Sequence, residues 1–174
     1  IHLYKDLEHG SDIPWAYFGT DKEYSDYHLR LEYQWGTKKF GRRTNKIRDS
    51  GMLYHCFGPE VVWPMGVECQ IQEGDTGDLL TIRTRVRSTA DPDKEINIEE
   101  RLSHYKEGGT EITQGKRGRI ARVVKDGTHE VDGWNKVEVI VKGDRAVHIV
   151  NGHVNNRCTQ MQMLESQDPD KWVP

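Results

Sequence analysis

No run in this sequence approaches the roughly 18–20 consecutive apolar residues that a membrane-spanning helix needs. Cysteine is scarce. Cys56, Cys69 and Cys158 lack any C-x-x-C spacing, and an odd number cannot all pair internally, so buried free thiols are the plain expectation. Charge of one sign is missing as well. The net charge is -3, with Lys and Arg interspersed among Asp and Glu except in the short runs Lys38–Arg43 and Lys116–Arg122. Without a recognition-helix pattern those runs read as solvated loops, and no nucleic-acid partner is expected. Also absent are a Ser nucleophile elbow, a zincin helix and a phosphate-binding Gly loop. The lack of an internal repeat argues against a propeller or β-helix. The first residue is Ile1, so a leader peptide is neither seen nor excluded.

What is present is two-residue alternation. Apolar residues are sparse, but 174 residues suffice for one core, and residues 1–174 read as a single domain. Tyr27, Leu29, Leu31, Tyr33 and Trp35 share one face of a strand, with His28, Arg30, Glu32 and Gln34 on the other. Further strands are read at Ser50–Phe57, Gly66–Gln72 and Leu79–Arg87. The stretch 88–118 is polar and Gly-rich, with Ile96, Ile98 and Ile112 as isolated apolar points, and reads as short edge strands and loops. Asn135–Lys142 alternates with Val137, Val139 and Val141 inward. Gly143-Asp144 then leads to Ala146–Val150, and Asn151-Gly152, a strong type I′ hairpin signal, to Val154–Cys158. The only helical hint is a turn near Met161–Ser166, and Asp168–Pro174 reads as a loop after which one more closing strand is expected. Many short strands with regular turns imply an all-β sandwich or barrel.

The stretch Trp63–Asp75 carries the most chemistry. If Val67, Cys69 and Ile71 face the core, Glu68, Gln70 and Gln72 form a row on the opposite face, about 7 Å apart. Carboxamides both donate and accept, as sugar hydroxyls do, and a carboxylate adds an acceptor or a base. An ordinary polar outer face fits the alternation equally well. The strand before it, beginning Arg48-Asp49-Ser50-Gly51, brings His55 or Tyr54 near the Glu68–Gln70 level if the two pair around their short loop, and a one-residue slip exchanges the faces. His55 is then a candidate proton carrier, against the alternative of a hydrogen-bonded structural histidine. Trp63 at the strand mouth is either a pyranose-stacking ring or a packing residue. His148, out of phase with Val147 and Ile149, is a weak candidate for the functional face. Asp75 and Asp78 lack the further oxygen ligands of a calcium loop. No metal or other cofactor is expected, although His55 with Glu68 leaves a divalent ion open.

The ordered blocks "YSDYHLRLEYQWG", "RDSGMLYH", "WPMGVECQIQEGDTGD" and "GWNKVEVIVKGDRAVHIVNGHV", from about Tyr24 to Arg157, resemble the 3-keto-disaccharide hydrolase domain family. The resemblance implies a concanavalin-like jelly-roll sandwich of two antiparallel sheets, and a periplasmic or extracellular location. It also implies a glycoside oxidised at the sugar 3-position as substrate. By the same resemblance, the Glu68-x-Gln70-x-Gln72 strand and the Asp49-Ser50-Gly51 strand start lie at the concave site. A ketone at C3 acidifies the C2 proton, so one base, one acid and enolate donors are enough for β-elimination followed by hydration. Glu68 and His55 are the expected catalytic pair, with Arg48, Gln70 and Gln72 for the enolate and Tyr54, Trp63 and His148 as further substrate contacts. Jelly-roll glucanases carry E-x-D-x-x-E on such a strand; here Gln70 stands in the central position and Glu73 is out of phase with Glu68, which disfavours a retaining glucanase. A non-catalytic carbohydrate-binding module is the main alternative, and a protein-interaction sandwich a third.

Overall fold

The two-residue apolar phase builds two sheets that bury one face each against the other. The computed structural model describes residues 1–94, 102–115, 120–164 and 171–174. Among these are twelve strands: β1 (Tyr27–Tyr33), β2 (Asp49–Phe57), β3 (Met65–Gln72), β4 (Leu79–Ile82), β5 (Thr84–Ala90), β6 (Leu102–His104), β7 (Thr110–Gln114), β8 (Ile120–Val124), β9 (Asn135–Lys142), β10 (Arg145–Val150), β11 (His153–Leu164) and β12 (Trp172–Val173). One sheet has the order β1-β9-β10-β11-β5-β7 with β12 beside β11, and the other the order β2-β3-β4-β8-β6. The protein is a jelly-roll β-sandwich. Both sheets are antiparallel except for the β6–β8 pair, which runs parallel and makes the second sheet mixed.

The core is the set that the alternation turns inward: Val67, Cys69 and Ile71 of β3, Leu79 of β4, Val86 of β5, Val123 of β8, and Val137, Val139 and Val141 of β9. Tyr27, Leu31, Tyr33 and Trp35 pack against its edge, whereas Leu29, expected inward with them, is exposed. Asn151 and Gly152 both hold positive φ (50° and 83°), the backbone a type I′ turn requires, and close the β10–β11 hairpin. Leu79–Arg87 is not one strand. Arg83 takes φ 57° and hands the chain from β4 in one sheet to β5 in the other. The helical turn near Met161 is strand instead, since β11 continues to Leu164 and there accepts β12. Ile112 packs against the core as part of β7, and Ile96 and Ile98 lie outside the described residues. The three cysteines are free, Cys69 and Cys158 buried and Cys56 exposed.

His148 corrects the expected phase of β10. Ala146, His148 and Val150 face inward because the Gly143-Asp144 turn pairs them with the inward Val141, Val139 and Val137. Its Nδ1–H donates to the Gly77 carbonyl (3.1 Å), so Nε2 accepts from the Tyr54 hydroxyl (2.8 Å). Burial lowers its pKa to about 4, which keeps the ring neutral. Tyr54 is likewise buried in the core. Neither residue is on the Glu68 face.

Candidate active site

Register places Leu53, Glu68, Leu80, Arg122 and Leu102 in one row across β2, β3, β4, β8 and β6. Directly opposed residues share a face, and this face is turned away from the core. The next rows pair Gly51 with Gln70 and Asp49 with Gln72. Ser50 opposes the core residue Ile71 and therefore points inward. The row of one carboxylate and two amides thus projects from the expected face. Glu68 and Gln70 are nevertheless each only 5% exposed, so the face is roofed around them.

Glu68 owes its position to what stands beside it. Gly51 has no side chain, and a Cβ there would come within 1.9 Å of Glu68 Oε1. The carboxylate therefore lies over β2 in the space a larger residue would fill. Trp63 Nε1 donates to its Oε2 at 3.3 Å. Burial drives the Glu68 carboxyl up to about 7; the Trp63 hydrogen bond and the Arg122 charge oppose the shift, and the Asp49 charge adds to it. Gly51→Ala is expected to push the carboxyl off this site. It should lower any turnover about 10²-fold for a stability loss of about 1–3 kcal/mol, read from kcat/KM and a denaturant melt.

Arg122 is the cation of the site, and the sequence did not single it out. Two strand spacings, about 10 Å, separate its backbone from that of Glu68, within reach of a long side chain. Its guanidinium is held by Asp78, with Nε 3.0 Å and Nη2 2.7 Å from Oδ2, and by Asp75 at 3.1 Å. Asp78 also accepts the Lys125 backbone N–H at 2.8 Å. Burial raises Asp78 to about 6 against the pull of that N–H and of Arg122. The two aspartates are thus spoken for by an arginine. Among the described residues no group of three or more His, Cys, Asp or Glu is arranged to hold a metal ion.

The expected partner of Glu68, His55, is elsewhere. A β-bulge shifts the β2–β3 register between Tyr54 and Phe57, with His55 at φ 48°. Its Nε2–H donates to the Gly143 carbonyl (3.0 Å) and Nδ1 lies 3.4 Å from the Tyr27 hydroxyl, both on the other sheet. Gly66 makes the bulge possible, since a Cβ there would meet the Tyr54 carbonyl oxygen at 2.9 Å. Cys56 takes the vacated side: burial raises its thiol pKa and the Glu68 charge raises it further. Arg48 is also diverted. Its backbone N–H donates to Glu73 Oε2 at 2.6 Å and its guanidinium pairs with the same carboxylate. Of the residues expected from sequence, the structure brings Glu68, Gln70, Gln72 and Trp63 together and separates Arg48, Tyr54, His55 and His148 from them.

A family profile described as the 3-keto-alpha-glucoside-1,2-lyase-like domain matches residues 7–169. The chain belongs to this family. Comparisons with curated proteins and with solved structures find no match. In this 3-keto-alpha-glucoside-1,2-lyase-like domain the matched span takes in all of the Glu68 row and both loops that flank β2.

Proposed function

We propose that the protein cleaves 3-keto-glycosides by elimination at C1–C2 followed by hydration, with Glu68 as the proton-transfer group. The observation that carries this reading is a nearly sealed carboxyl raised to about 7 in a row with an arginine. Such a group is half ionised near neutral pH, which suits it both to take a proton and to return it.

The balance of the reaction requires only one such group. Glu68 removes the C2 proton, the electron pair moves toward the C3 oxygen, and Arg122 with the Gln70 amide stabilises the enolate. Collapse of the enolate expels the C1 oxygen, which takes the proton from Glu68. The re-formed carboxylate then deprotonates water as it adds to C1 of the enone, and the same proton returns to C2. The net change is hydrolysis. His55 is not needed as the acid, and the separated carboxylate pair of ordinary glycosidases has no role. The family description and the absence of an E-x-D-x-x-E strand support the same assignment. A periplasmic or extracellular site of action belongs to this proposal.

Incubation with 3-keto-trehalose or a methyl 3-keto-glucoside is expected to release 3-ketoglucose. Tight binding of unoxidised glycan without turnover of either ketone would instead identify a carbohydrate-binding module.

A further inference from the structure

The chain before β1 is an irregular strap that follows one edge of the site. Lys38 Nζ donates to the carbonyls of Lys5 (3.1 Å) and Leu7 (2.6 Å), and Gly41 N–H donates to that of Ser11 (2.9 Å). These contacts pin the strap to the loop before β2. The Tyr17 hydroxyl then donates to Glu60 Oε1 at 2.9 Å, which pins it to the loop after β2. Asp26 finally accepts the Gly143 N–H at 2.7 Å, at the turn between β9 and β10. Because β2 is the edge strand beside β3, the strap runs along the margin of the sheet that carries Glu68.

The strap and the loop it grips leave apolar side chains in water. Trp15 is 65% exposed and Phe18 75%, and Val61, Val62 and Trp63 are exposed on the loop. Single exposed apolar residues need no explanation, but a cluster at the mouth of a polar site does. This cluster is continuous with the site, since Trp63 both belongs to it and donates to Glu68. Its chemistry selects the occupant. Phe18, Val61 and Val62 offer no hydrogen-bonding groups, and the Tyr17 hydroxyl and Trp63 Nε1 are already engaged by Glu60 and Glu68. A hydroxyl-rich second sugar would lose its hydration here without compensation, whereas a flat apolar ring would stack.

We propose that Trp15, Phe18 and the Val61–Trp63 loop form the leaving-group subsite and that it takes an aromatic aglycone. The assignment rests on Glu68 being the catalytic group, and it names the class of glycoside that the same site prefers.

The test compares Trp15→Ala and Phe18→Ala with the parent protein on an aryl and a methyl 3-keto-glucoside. Using the variant-to-parent ratio for each substrate cancels the intrinsic difference between the leaving groups. Each substitution is expected to lower kcat/KM on the aryl substrate about tenfold, chiefly through KM, and to leave the methyl substrate unchanged. Trp15→Phe should restore most of the loss. Equal losses on both substrates would make the strap a structural brace and overturn the subsite, and no loss on either would do the same. Sedimentation velocity covers the remaining occupant: a parent dimer that Phe18→Ala turns into monomers would make the patch a self-association surface. Absence of turnover by the parent protein on both ketones would defeat the catalytic reading itself, a result distinct from unchanged ratios.

Discussion

Glu68→Gln is expected to abolish 3-ketoglucose release, lowering kcat/KM by about 10³-fold or more, while making the folded protein more stable at pH 8. The two effects share one cause. A carboxyl whose folded-state pKa is raised from 4.5 to about 7 is bound more tightly to its proton in the fold than in the unfolded chain. Its contribution to stability is therefore full below pH 4.5 and lost as pH rises through 7. Above pH 7 the fold carries an ionised, buried Glu68 at a cost of about 3 kcal/mol, and the neutral amide removes that cost. The gain should be evident in thermal melts at pH 8 and shrink toward zero near pH 4. The parent's kcat/KM should fall tenfold per unit below pH 7, as the base is protonated. A variant that is inactive and also less stable at pH 8 would show that Glu68 is a structural ion rather than a poised base.

Arg122→Met should have the second largest effect, and on both properties. Removing the guanidinium leaves Asp78 buried with the Lys125 N–H but no counter-charge, and breaking a buried pair in this way costs about 3–5 kcal/mol. Asp78 already sits at about 6, and without Arg122 its pKa moves higher still. Protonation then relieves the penalty, so the destabilisation is large at pH 8 and small at pH 5. Adding Asp78→Asn should recover most of it. Activity should stay low in that rescued double variant, by about 10²–10³-fold, because the enolate has lost its cation. The acid limb of kcat/KM in Arg122→Met should also move above pH 7, since the Arg122 charge holds the Glu68 pKa down. Full activity in the stable double variant would remove Arg122 from the chemistry.

The candidate site was legible where one strand carried it. The β3 alternation is a local property, and the pleat alone puts Glu68, Gln70 and Gln72 opposite Val67, Cys69 and Ile71. The inward phase of β10 was legible too. The two-residue turn at Gly143-Asp144 sets Val139 against His148, and a stronger weight on hairpin register than on side-chain polarity would have placed His148 inside. His55 was not legible, because a bulge is decided by the partner strand. The extra residue between Tyr54 and Phe57 fits only where Gly66 passes without a Cβ. Arg122 was hidden by its neighbours in sequence, since the run Lys116–Arg122 reads as a charged loop while its last residue is in a sheet.

By itself the sequence determined the class of fold, the face on which the Glu68 row projects and the family, because period-two burial and hairpin turns are encoded residue by residue. Only the tertiary structure decided which charged groups meet. The β3–β4–β8 register carries Arg122 toward Glu68, Arg48 turns to Glu73, and His55 turns to the opposite sheet. A buried charge takes whichever partner the packed strands bring within reach, and that choice is made across sheets rather than along the chain.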